Sequence, residues 1–149
     1  MRYKWAWRTD AGFRRVWIGH AFERLCLKHI GQIKKALGIS GVRTSVSSWR
    51  HTADDRCGQG AEIDLLIDRR DDIVNLCEMK FYSGPFVITK KYDAELAVKR
   101  QVFAAVTGTP KGLHQTMVTA DGLHANEYSE NIQSQVTLDD LFAEISDIM

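Results

Sequence analysis

The stretch GAEIDLLIDRRDDIVNLCEMKF, residues 60–81, decides the fold. AEIDLLID (61–68) alternates in polarity, with Ile63, Leu65 and Ile67 on one face of an extended chain, and IVNLCEMKF (73–81) is a second strand-like run. RRDD between them reads as a polar turn, so the two runs form an antiparallel hairpin of adjacent strands. VRTSVSSW (42–49), rich in β-branched residues, gives a strand upstream, while His51 to Gly60, with Asp54, Asp55, Gly58 and Gly60, is an irregular excursion.

Working outward, the apolar residues from Val16 to about Leu37 follow three-and-four spacing and stop at Gly38, which predicts one long amphipathic helix with a glycine C-cap. A second helix runs from about Lys91 to Val106, with Leu96, Val102, Phe103 and Val106 as its inner stripe. LHQTMVTA (113–120) is a fourth strand, and QSQVTLDDLFAEI offers a strand fragment followed by a short helix capped by Thr137. The predicted fold is α/β: a central mixed β-sheet flanked by helices, in the order α-β-β-β-α-β. Residues 13–149 form a single domain, and residues 1–12, with three aromatics and no sustained period, are an arm or a domain junction.

The chain of 149 residues, 44% hydrophobic and 26% charged, has room for one core and no apolar run approaching the roughly 20 residues of a membrane-spanning helix, so a cytoplasmic protein without membrane contact is expected. Cys26, Cys57 and Cys77 contain no C-x-x-C pair and are read as reduced thiols. The net charge of +1 conceals nine Lys/Arg against two acids in residues 1–35 and seven acids without Lys/Arg in residues 112–149. That balance permits a nucleic-acid partner without demanding one.

Chemistry is suggested by polar residues where strands expect apolar ones. Glu78 and Lys80, two apart, project from one face of their strand, and the hairpin brings Asp64 beside them. Two carboxylates from neighbouring strands can share a hard divalent cation, and a lysine beside them can orient or deprotonate a water that attacks a phosphodiester. The plainer reading is a cross-strand ion pair between Asp64 and Lys80, with Glu78 solvated. Glu62 shares the face of Asp64 in strict alternation, and it and Gln59 rank behind Asp64 as ligands through water. His51 and Cys57 lack both the four-ligand spacing of zinc and a third orienting group. His20 and His29 are assigned to packing or surface roles on the first helix, and Trp17 and Trp49 to core or interface anchors.

AFE at 21–23, GAEIDLLIDR at 60–69 and CEMK at 77–80 resemble the motif pieces of the PD-(D/E)XK nuclease superfamily, with Ile63 where the proline of the motif's name would stand. Through GHAFERLCLKHIGQIKKALGI, the SSW segment and TLDDLF, the chain is most similar to the nuclease-like C-terminal domain of a group of prokaryotic P-loop (AAA-type) ATPases, over about residues 17–142. The resemblance implies a restriction-endonuclease-like core and a metal-dependent deoxyribonuclease using Mg²⁺ or Mn²⁺. Asp64 and Glu78 would be metal ligands, Lys80 the catalytic lysine, and Glu23 an outer-shell or second-metal acid. Lys90, Lys91, Lys99 and Arg100 would meet DNA phosphates, against a solvated helix face as the plainer reading. Gln101 matches a site glutamine of related exonucleases, whose aromatic partner four residues on is here Ala105.

The sequence contains no G-x-x-x-x-G-K-[ST] loop, so any ATPase domain would be a partner outside this chain, and homodimerisation is left open. The alternative to a nuclease is a catalytically silent module of the same fold that binds DNA or docks on an ATPase domain.

Overall fold

A computed structural model describes residues 11–55 and 57–144. Its elements are α1 (Ala11–Lys28), α2 (Ile30–Ala36), β1 (Thr44–His51), β2 (Ala61–Arg69), β3 (Ile73–Lys80), α3 (Lys90–Thr107), β4 (Gly112–Thr119), β5 (Ser134–Val136) and α4 (Leu138–Leu141). The five strands form one sheet in the order β1-β2-β3-β4-β5. β1, β2 and β3 pair antiparallel, while β3, β4 and β5 pair parallel. The expected α/β architecture is therefore present, a mixed sheet flanked by helices. α3 is the crossover that parallel β3 and β4 require.

One sheet face packs Leu65, Ile67, Cys77 and Met79 against Phe22 and Cys26 of α1, Ile33 of α2 and Leu141 of α4. The other packs Ile63, Leu66, Val74 and Leu76 against Phe103 of α3. Thr89 caps α3 by accepting from the Tyr92 N–H at 3.1 Å. Thr137 begins α4, its N–H donating to Asp140 Oδ2 at 2.8 Å. The β2–β3 turn closes through Asp72 at φ 67°, a left-handed conformation that aspartate tolerates better than most residues.

Two expectations are corrected. The single helix from Val16 to Leu37 is two helices, α1 beginning at Ala11 and α2 following a break at His29. His29 Nδ1 donates to the Leu25 carbonyl at 2.7 Å, and the His29 N–H, displaced from that acceptor, reaches back to Cys26 O at 2.9 Å. A side chain thus takes the acceptor the helix would have used. The predicted stop at Gly38 holds: its φ is 73°, and the Gly38 and Ile39 N–H groups donate to Lys35 O and Lys34 O, a Schellman cap.

The second correction lies in β2. Ile63 does not share a face with Leu65 and Ile67 but packs with Leu66 on the α3 side. Pairing with β1 shifts between Ser47↔Leu66 and Trp49↔Ile63, so β2 takes three steps where β1 takes two. This β-bulge at Asp64–Leu65 reverses the alternation and re-aims Asp64. Residues 1–10 of the expected arm lie outside the described residues, while Ala11 and Gly12 belong to α1. Among the described residues no helix is long and apolar enough to cross a membrane.

Candidate active site

The antiparallel ladder of β2 and β3 runs from Asp68↔Val74 to Leu65↔Cys77 and ends there. The next residue on each strand is Asp64 and Glu78. The Met79 N–H, left without a β2 carbonyl, donates to Asp64 Oδ2 at 2.9 Å. One carboxylate oxygen of Asp64 therefore seals the broken ladder, and the bulge is what lets it reach.

Glu78 is 2% exposed, an unusual position for a carboxylate. Its Oε1 accepts from Lys99 Nζ at 2.6 Å, whereas Oε2 is buried with no hydrogen-bond partner. Burial, and then the charge of Asp64, push the carboxyl up to about 7, with Lys99 pulling the other way. Glu23, half-buried on α1, is raised by burial and then by Asp64, and His20 at 3.8 Å opposes this. The three acids predicted for the site therefore sense one another through Asp64.

Lys80 follows Glu78 by two residues, as the strand reading required, and is exposed. Its Nζ lies 5.4 Å from the ring centroid of Tyr92 in a cation–π contact. The plainer expectation of an Asp64–Lys80 pair is not what forms, since the amine paired with this acid cluster is Lys99. Tyr92 was not anticipated. Its hydroxyl is buried without a partner, and burial, then Glu78 and Asp64, hold the phenol well above its ordinary range. A spacing of seven residues puts Tyr92 and Lys99 on one face of α3, and that was the available signal.

Of the cations expected at phosphate, Lys90 and Lys91 are exposed. Lys91 and Glu95 line two open clefts, one of about 460 Å³ that also takes in Lys99 and Gln59, the other of about 340 Å³ that takes in Lys80 and Tyr92. Lys99 is engaged with Glu78, and Arg100 Nη1 donates to Gln115 Oε1 at 3.1 Å. Gln115 is itself buried, with Nε2 on Leu76 O, so Arg100 ties helix to sheet. Glu62 pairs with Arg50 at 3.2 Å, and Gln101 is exposed.

His51 is buried, with Nε2 3.4 Å from Asp54 Oδ1 and stacked 6.1 Å from Trp49, which packs edge-on against Phe103 as a core anchor. Trp17, by contrast, is 65% exposed. Cys26 and Cys77 are buried thiols that burial keeps protonated, Cys26 up to about 12.

Among the described residues no group of three or more His, Cys, Asp and Glu side chains forms a metal cage. A hard cation needs less, because Mg²⁺ binds through one or two carboxylates and keeps several waters. The oxygen donors of Asp64 and Glu78 suit it, and the orphaned Glu78 Oε2 is an atom that a cation or a proton would satisfy.

No protein-family model matches the chain, and no curated protein matches it. Among solved structures, one described as a protein of unknown function, AF1548, is similar over 76% of this chain at 16% sequence identity, with a TM-score of 0.48. The chain spans 63% of that structure's length.

Proposed function

We propose that the chain is a divalent-metal-dependent nuclease that hydrolyses DNA phosphodiester bonds. The observation that carries this reading is the buried, unpartnered Glu78 Oε2 beside Asp64 at the open end of the β2–β3 ladder. A protein with no use for a cation gains nothing by burying one carboxylate next to another. Asp64 and Glu78 would hold Mg²⁺ or Mn²⁺. When bound, such an ion supplies Lewis acidity and a water of lowered pKa.

The remaining roles belong to this chain's side chains. Lys80, exposed at the end of β3, carries an amine that can stabilise charge on an attacked phosphate or take a proton from the attacking water. Tyr92 limits where that amine sits. Lys90 and Lys91 supply cationic surface for a DNA backbone, and Glu23 adds a carboxylate at the border of the site.

A second reading is favoured by one observation. Lys99 already neutralises Glu78 at 2.6 Å, as it would in a silent module that binds DNA or docks on a P-loop ATPase domain. Incubating supercoiled, linear and branched DNA with Mg²⁺, Mn²⁺ or EDTA separates the two. A nuclease cleaves at least one substrate with metal, stops with EDTA and fails as Asp64→Asn or Glu78→Gln. DNA binding with no cleavage and no metal-binding heat supports the module.

A further inference from the structure

Beyond Lys80 the chain runs into FYSGPFV, residues 81–87, a segment tied down at both ends of its turn. The Gly84 N–H donates to Asp121 Oδ2 at 2.8 Å, with Gly84 at a φ of 92° that favours glycine. The Phe86 N–H donates to Gly122 O at 2.8 Å, and the His124 N–H donates to Phe86 O at 2.9 Å. Phe86 is thereby held edge-on to Tyr92, ring centroids 5.5 Å apart, and Tyr82 edge-on to Phe86 at 6.2 Å. Phe86 and Tyr92 are seated on the buried Ile88, Leu96 and Met117, whereas Tyr82 is 52% exposed and Val87 48%. A row of three rings thus leads from the core out to solvent, and the Lys80 amine stands over the innermost.

Phe86, Val87 and Tyr92 line the cleft of about 340 Å³ together with Lys80, Lys91 and Glu95. Their chemistry selects the occupant. An apolar chain would use the rings and leave two ammonium groups without a counter-charge. A free phosphate would use the ammonium groups, meet the Glu95 carboxylate and leave the rings wet. A nucleotide within a single strand uses all three: its phosphate suits the amines, its base stacks on the rings, and an N–H on the edge of that base can donate to Glu95. In a duplex those N–H groups are spent in pairing and the ring faces in stacking, so a duplex offers this cleft its phosphates alone.

We propose that the cleft takes an unpaired nucleobase beside the scissile phosphate, so that the substrate class of the site is single-stranded DNA. Placing the phosphate at Lys80 rests on the nuclease reading, whereas the contacts to the base do not.

Fluorescence anisotropy of the full chain in EDTA reads binding without cleavage, using a labelled single strand, its blunt duplex and a strand of the same length made of abasic sites. We expect the wild type to bind the single strand roughly fivefold more tightly than either of the others, or better. Tyr82→Ala should weaken the single strand by roughly fivefold or more, the scale of one lost stacked base, and leave the duplex and the abasic strand unchanged. Phe86→Leu should do the same, with circular dichroism verifying its fold; Tyr82 is exposed, so its variant carries the test should Phe86→Leu unfold. Equal binding of single strand and duplex overturns the proposal. So does a Tyr82→Ala variant that keeps full affinity for the single strand, or that loses affinity for all three probes alike. Incubation of the same strands with Mg²⁺ reads the nuclease separately. Single-strand preference without cleavage would sink the nuclease reading and keep the base cleft, while cleavage without that preference would sink the base cleft alone.

Discussion

Lys99 Nζ and Glu78 Oε1 are 2.6 Å apart, the lysine 28% and the glutamate 3% exposed at the side chain, so the most buried acid of the sheet is met by an amine from the crossover helix. That amine stands against the carboxylate a divalent ion would use. In the proposed nuclease a tethered ammonium and a free cation would therefore compete for one acid.

Lys99→Met tests this competition. Without metal at pH 8 the variant should lose about 1–2 kcal/mol, less than a fully buried pair because Lys99 is partly solvated. Mn²⁺ should bind it more tightly than the wild type, since no ammonium has to move. At pH 5, where Glu78 is protonated, the stability difference should shrink. Urea unfolding at both pH values with a Mn²⁺ titration checks all three, and weaker Mn²⁺ binding by the variant would make Lys99 an aid to the metal and not its competitor.

The pH dependence of the metal-free protein has a definite sign. Glu78 titrates near its ordinary 4.5 when unfolded and at about 7 when folded, so between these values the native state holds more protons. Stability from this group is full below about 4.5, falls as pH rises to about 7, and is flat above, for a loss of about 3 kcal/mol at most. The raised Glu23 adds in the same direction, whereas the stability Asp71 draws from its Arg69 partner is lost only as pH falls below its ordinary 3.8, outside this window. Unfolding midpoints from pH 4.5 to 8 for wild type and Glu78→Gln are the measurement. The glutamine variant should be flatter, and identical slopes would mean that Glu78 is solvated.

The strands and the β2–β3 hairpin were legible because their signals are local: alternation, β-branching and a charged turn. Gly38 and Thr137 were legible as caps for the same reason. The bulge at Asp64–Leu65 was not, since it exists only in the pairing of β2 with β1, which no single strand encodes. The break at His29 depends on one side chain capturing the Leu25 carbonyl, a choice that helical periodicity does not register. In the site, Asp64, Glu78 and Lys80 stood out as polar interruptions of apolar strands. Lys99 was expected at a DNA phosphate and not at Glu78, and Tyr92 did not stand out at all, because on a solvated helix lysine and tyrosine are ordinary and only the packing of α3 against β3 sets Lys99 on Glu78 and Tyr92 under Lys80.

Tyr92 separates a ring effect from a hydroxyl effect. Tyr92→Phe keeps the ring beneath Lys80 and removes a buried hydroxyl without a partner, so stability should hold or rise by up to about 1 kcal/mol. Tyr92→Leu removes the ring and frees the lysine. If Tyr92 acts by positioning Lys80, cleavage survives in Tyr92→Phe and drops in Tyr92→Leu, while Lys80→Ala drops it by roughly 10² or more. Loss of cleavage in Tyr92→Phe at unchanged stability would instead put the hydroxyl itself at the reacting phosphate.

Glu23→Gln distinguishes an acid held for a cation from one held for packing. Its carboxyl is raised by burial and by Asp64, and its ion-pair partner is His20 at 3.8 Å; neither Arg24 nor Lys28 pairs with it. Without metal, then, Glu23 and Asp64 repel each other, and removing one charge should leave stability unchanged or raise it by about 0.5 kcal/mol at pH 8. With Mn²⁺ or Mg²⁺ the same charge attracts, so the variant should bind metal several-fold more weakly and gain less in melting temperature from saturating ion. Opposite signs with and without the ion cannot come from a packing residue, which would lose stability equally in both. Calorimetric unfolding of wild type and Glu23→Gln, each with EDTA and with Mn²⁺, gives the four numbers. An equal loss under both conditions would confine the site to Asp64, Glu78 and Lys80 and leave α1 as a wall of the core.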